Sequence, residues 1–73
     1  MINEICKLHA KLDFNHELHC STVKDDHVTI IRKDNIIVKV NDHILRIVRP
    51  SGEVCLLNVD YIVICYRTEV RSW

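Results

Sequence analysis

The thiols and imidazoles of this chain gather near its beginning, where Cys6-x-x-His9 is followed by His16-x-x-His19-Cys20. Thiolate sulfur and imidazole nitrogen are the ligands zinc prefers, and separations of this order can bring two of them to one ion. Zinc knuckles, however, place a tight glycine-bearing turn between paired ligands, and the single glycine, Gly52, is remote from both pairs. With His27 and His43 scattered further on, the histidines read better as polar strand and turn residues, so no metal and no cofactor is expected. Cys20 beside His19 has the composition of a thiolate and its base, but adjacent residues of a strand point to opposite faces. One glycine cannot make a phosphate-cradling loop, no Ser or Cys sits in a recognisable nucleophile elbow, and no carboxylate pair stands in an apolar context. The chain is not expected to be an enzyme.

A second chemistry is offered by Arg32, Lys39 and Arg46, three cations set among aliphatic residues. Brought to one surface, they would hold a phosphate or carboxylate through bidentate guanidinium hydrogen bonds, strengthened by the low dielectric of their surroundings. Arg49 and Arg67 are outlying members. The competing reading is that their stems cover apolar surface while the charges reach water or a carboxylate.

Whether these side chains meet depends on the strands that carry them. The longest apolar stretch is Glu53–Tyr66, EVCLLNVDYIVICY, broken only by Asn58 and Asp60. With a period of two, Cys55, Leu57, Val59, Tyr61, Val63 and Cys65 share one face, and Val54, Leu56, Asn58, Asp60, Ile62 and Ile64 the other. Asp60 is expected to cap a tight turn inside the run. Ile and Val supply 19 of the 73 residues and Ala one, a bias towards pleated, half-buried surfaces. Turn formers recur at Asn15-His16, Asp25-Asp26, Asp34-Asn35, Asn41-Asp42 and Pro50-Ser51-Gly52. The strands between them are Glu17–Lys24, His27–Lys33, Ile36–Val40, His43–Arg49, Glu53–Asn58 and Tyr61–Arg67. Ahead of them, Met1–Asp13 reads as a short helix, with Asn3 as cap, Glu4 in the first turn and Ile5, Leu8 and Leu12 on one stripe. Strand-like alternation is present there too.

These elements describe a mainly β domain, α+β at the margin: a five- to six-stranded antiparallel meander curled into a small barrel or sandwich, with a short N-terminal helix. Two-residue loops at Asp34-Asn35 and Asn41-Asp42 set Lys33 opposite Ile36 and Val40 opposite His43, and a three-residue loop at Pro50-Ser51-Gly52 sets Arg49 opposite Glu53. In that register Thr29, Ile31, Ile36, Val38, Val40, Leu45, Ile47, Cys55, Leu57 and Val59 form the core. The other face carries Val28, Ile30, Arg32, Ile37, Lys39, Ile44, Arg46, Val48, Val54, Leu56 and Asn58. A surface that mixes cations with aliphatics in this way is expected to meet a ligand, another copy of the chain or a partner.

The bulk properties limit the choice. Seventy-three residues make one domain, and so short a chain buries only about 60% of its unfolded surface. With 48% hydrophobic residues, apolar side chains outnumber the positions one small core can hide, so a homo-oligomer is expected. Leu56, Ile62, Ile64, Tyr66 and Trp73 are the candidate interface residues, on the view that the last strand is otherwise an exposed edge. Ten basic and ten acidic side chains cancel, which removes the field that draws a protein to nucleic acid or an anionic membrane. No secretory signal or spanning segment is visible, so a cytoplasmic protein with reduced cysteines is expected.

A helix followed by bent strands, with a short turn before the last, resembles in outline the Sm-like small β-barrels, which assemble into rings by edge-strand pairing and bind RNA. The stretch Arg46–Val59, RIVRPSGEVCLLNV, lacks the hydrophobic-Arg-Gly tripeptide of the Sm signature, so the resemblance is one of architecture and assigns no residue a role. The leading expectation is a non-enzymatic homo-oligomer that binds or sequesters a small anion such as a nucleotide at Arg32, Lys39 and Arg46. Its size and composition also suit the small proteins of phages that sequester a signal or block a host protein. The alternatives are a protein–protein inhibitor or assembly module acting on a host protein and, more weakly, an Sm-like RNA-binding ring.

Overall fold

A computed structural model describes residues 1–23 and 28–70. Trp73 and the expected turn at Asp25-Asp26 lie outside the described residues. The chain opens with helix α1 (Ile2–Ala10), followed by strands β1 (His16–Thr22), β2 (Val28–Arg32), β3 (Ile36–Lys39), β4 (Ile44–Val48), β5 (Val54–Asn58) and β6 (Ile62–Glu69), with a 3₁₀ turn at Val59–Tyr61 before the last. The mainly β architecture with a short N-terminal helix is thus the one observed. Asn3 is not the helix cap: α1 begins two residues earlier than such a cap implies, at Ile2 with Met1 as its cap, and Ile2 and Ile5 are its buried positions.

Among the described residues, the six strands divide into two antiparallel sheets, ordered β2-β1-β6 and β3-β4-β5, and no closed barrel forms. β2 and β3, expected to pair as a hairpin, lie in different sheets. Asn35 makes the crossing. It is buried, and its Oδ1 accepts hydrogen bonds from the Arg32 amide at 2.9 Å and from Arg49 Nη1 at 3.2 Å. Arg49 Nη1 also donates to the Ile30 carbonyl at 3.0 Å, tying the β4–β5 hairpin to β2.

Within the second sheet, the β4–β5 register is the expected one, with Val48 opposite Val54 and Arg49 N–H donating to the Glu53 carbonyl at 2.9 Å. Gly52, at φ 92°, takes the left-handed position of that loop. The β3–β4 register differs by one residue. Asn41 Oδ1 accepts from the amides of both His43 and Ile44, at 2.7 and 2.8 Å, and Val40 N–H donates to the Ile44 carbonyl. His43 is drawn into the loop, so Ile37 pairs with Ile47 and Val38 with Arg46. A one-residue slip turns a strand over. Ile36, Val38 and Val40, expected in the core, are exposed, and Ile37 packs against it instead.

The inner faces of both sheets and one side of α1 meet in one core of Ile2, Ile5, Leu12, Leu18, Cys20, Ile31, Leu45, Ile47, Leu57 and Val59. The long apolar run divides at the 3₁₀ turn. Asn58, not Asp60, caps it, with Asn58 Oδ1 accepting from the Asp60 amide at 3.0 Å. Asp60 Oδ2 accepts from His43 Nδ1 at 2.8 Å. A register shift between Ser21 and Thr22 opposite β6 leaves Val63 exposed, off the face it was expected to share with Cys65, while Ile62 and Cys65 pack inward.

Candidate functional site

β3 is turned over and β4 and β5 are as expected, so the outer face of the second sheet is more apolar than its sequence reading. One row across the strands is Ile36, Val48 and Val54; the next is Val38, Arg46 and Leu56. Ile36, Val54 and Leu56 are 63%, 55% and 65% exposed. Arg46 is the one charge in these rows. Antiparallel sheets commonly bury one face and offer polar side chains to water on the other; this sheet is aliphatic on both.

The three expected anion ligands do not converge. Arg46 stands on this outer face; Lys39 pairs with Leu45 and so lies on the opposite side of the sheet. Lys39 Nζ pairs with Asp42 at 3.2 Å. Arg32 belongs to the other sheet, where its Nε lies 3.7 Å from Glu17. The reason is the loop at Asn41: one added residue turns Lys39 away from the face of Arg46, where it stays exposed beside Asp42, and the β2–β3 crossing removes Arg32.

Arg32 is the member of the trio that borders cavities. A groove of about 680 Å³ runs between β2 and the β4–β5 hairpin, with Arg32, Asn35, Arg49 and Ser51 on its walls together with the acids Asp34 and Glu53. Arg49 Nε pairs with Glu53 at 3.1 Å. On the other side of Arg32, a recess of about 280 Å³ is lined by Glu17, His19, Tyr66, Thr68 and Glu69. Glu17 is 6% exposed. Its carboxylate accepts from His19 Nε2 at 2.6 Å, and the His19 ring stands 5.6 Å from that of Tyr66. This Glu17–His19–Arg32 group escaped the sequence reading. Glu17 and His19 alternate with Leu18 and Cys20, which gives the face but not the partner on β2.

The expected interface residues fall on two surfaces. Leu56 is on the outer face of the second sheet; Ile64 and Tyr66 are exposed on β6 of the first. Ile62 packs against the core and is not a surface residue of that kind. The paired cysteine and histidine motifs are separated. His9 Nε2 donates to the Arg32 carbonyl, His16 Nδ1 to Asp13 at 2.7 Å, and Cys20 points into the core. Among the described residues, no group of three or more His, Cys, Asp and Glu side chains is placed to hold a metal ion. No helix among them is long and apolar enough to cross a membrane. Comparison of the chain with protein-family models, with curated proteins and with solved structures found no match to any of them.

Proposed function

We propose that this chain is a non-enzymatic binding protein that works as a homo-oligomer, two copies meeting through the outer faces of their β3-β4-β5 sheets. What supports this reading is the outer face itself: Ile36, Val38, Val54 and Leu56 are exposed, with Val48 between Ile36 and Val54 and Arg46 between Val38 and Leu56. Contiguous aliphatic surface of this kind costs free energy in water and is a common mark of an interaction site. A second copy suits it on two counts. The face is a sheet, and two sheets stack at about 10 Å with their side chains interleaved; the chain has no net charge to drive copies apart. In this arrangement Arg46, on the central strand, packs its aliphatic stem in the contact and must carry its guanidinium out to water.

Sedimentation velocity across a concentration series tests this. The wild-type chain should sediment as a dimer or larger, and Leu56→Glu as a folded monomer. A wild type that stays monomeric at every concentration overturns the reading and leaves the face to a different protein, such as a host protein that the chain inhibits.

A second reading, capture of a small anion such as a nucleotide, has Arg32 in its favour. Its side chain is 58% exposed, loosely paired at 3.7 Å, and borders the 680 Å³ groove. The acids Asp34 and Glu53 offset the two arginines there, so a singly charged group that also offers donors fits better than a polyphosphate. Native mass spectrometry with a nucleotide mixture should then find a ligand retained by the wild type and lost in Arg32→Ala. Equal retention by both removes Arg32 as its ligand.

A further inference from the structure

Cys20 and Cys65 are direct partners across β1 and β6. Partners in an antiparallel ladder have Cα atoms about 4.5–5.5 Å apart, inside the window of about 4.4–6.8 Å that a disulfide spans. The backbone therefore needs no rearrangement to accept the bond. The sulfurs themselves lie 2.6 Å apart, and a disulfide closes at about 2.05 Å, so roughly half an ångström of side-chain adjustment separates the thiols from a bond. Cys6 and Cys55 have no such partner. Cys6 is on α1 and Cys55 stands opposite Ile47.

The two thiols are also unlike in access and in charge. Cys20 is fully buried, Cys65 half-buried on the edge strand of its sheet. The hydrogen bond between the two thiols holds the Cys65 thiol below its ordinary range, and the same bond, with burial, pushes Cys20 up. The more accessible sulfur is thus the readier nucleophile.

We propose that Cys20 and Cys65 are a reversible oxidation site, closed to an intramolecular disulfide by a small-molecule disulfide such as oxidised glutathione. The Cys65 thiolate attacks one glutathione sulfur, the glutathione S–S bond breaks, and the first glutathione leaves as thiolate. Cys20 then gives up its proton to that thiolate or to water and attacks the Cys65 sulfur, expelling the second glutathione. Two electrons pass from the protein to the oxidant, and two reduced glutathiones are released. This site is independent of how the chain associates.

Thiol titration and intact mass after incubation with oxidised glutathione test it, on wild type and on a Cys6→Ser/Cys55→Ser double variant. Wild type should fall from four titratable thiols to two, lose two hydrogens in mass and carry no glutathione. Peptide mapping should find Cys20 joined to Cys65 within one chain, and dithiothreitol should restore both thiols. The double variant should lose both of its thiols in the same way. Four thiols that survive the oxidant, a retained glutathione adduct, a bond between chains or a bond to Cys6 or Cys55 would each overturn the assignment.

Discussion

Val38 stands directly opposite Arg46 across β3 and β4. That single pairing decides the character of the second sheet's outer face. Had Ile37 taken the place opposite Arg46, Ile37 and Lys39 would line the outside and the aliphatic side chains of Ile36 and Val38 would be core.

Charge placed in that face should separate the copies without unfolding them. Leu56→Glu and Val38→Glu change outward-facing side chains, so thermal unfolding of the isolated chain should move by no more than about 0.5 kcal/mol. The mass measured by sedimentation should fall to that of one chain. Ser51→Glu, in the β4–β5 loop and outside the apolar rows, should leave it unchanged.

Asn41 holds the register through its two amide hydrogen bonds to His43 and Ile44. Asn41→Ala should cost about 1–2 kcal/mol in urea unfolding, since two amides lose their acceptor. Cross-strand proton contacts by NMR give a second readout: contacts between Val38 and Arg46 should weaken where the shorter loop becomes accessible.

Arg49 joins the two sheets by bonds to the Ile30 carbonyl and Asn35 Oδ1 from one nitrogen. Lysine carries the charge but not the planar fork, so Arg49→Lys should still lose about 1–3 kcal/mol. The urea midpoint measures this. Glu53→Gln, which touches only the exposed Nε pairing, should cost far less.

Asp13 supplies the pH dependence. Its Oδ1 accepts hydrogen bonds from the His16 ring and the Asn15 amide, and the first of these chiefly holds its pKa below the ordinary 3.8. A carboxylate with a depressed folded-state pKa contributes its stability above the ordinary value and loses it as pH falls through the lower one. The stability that Asp13 contributes over Asp13→Asn should therefore be present above the ordinary value of 3.8 and be lost as pH falls through the lowered one. Carbon NMR of the Asp13 carboxyl gives the folded-state titration directly.

Oxidation of Cys20 and Cys65 should raise thermal stability. Closing a loop between residues 45 apart restrains the unfolded chain by about 3–4 kcal/mol, or a Tm rise on the order of 10–20 °C. Calorimetry before and after dithiothreitol should reverse it, and Cys65→Ser should not respond to oxidant.

Much of this fold can be read directly from residue order. The turn formers place all six strands within a residue or two, because Asn, Asp, Gly and Pro act locally. The β4–β5 register follows from Pro50-Ser51-Gly52 for the same reason. Sheet membership does not follow. A period of two says which residues share a face and is silent on which strand lies beside it, so the pairing of β1 with β6 had no local signal. The loop at Asn41 shows a finer limit: one side-chain oxygen that accepts from two amides adds one residue to the turn. With it went the face of β3 and the meeting of Lys39 with Arg46. Arg32 kept its exposure but found Glu17 in place of the other cations.

The placement of β1 between β2 and β6 sets an order on assembly. The second sheet is a run of neighbouring hairpins, β3 to β4 to β5, and each pairing can form as soon as its own turn does. The first sheet joins Cys20 to Cys65 across 45 positions, so its central strand must wait with one edge open until the last strand has been synthesised. Closing so long a loop should be slower than forming the neighbouring hairpins. Until it closes, Leu18 and Cys20 lack a cover on one side, and the interval between making β1 and making β6 is when the chain is most exposed to misassociation.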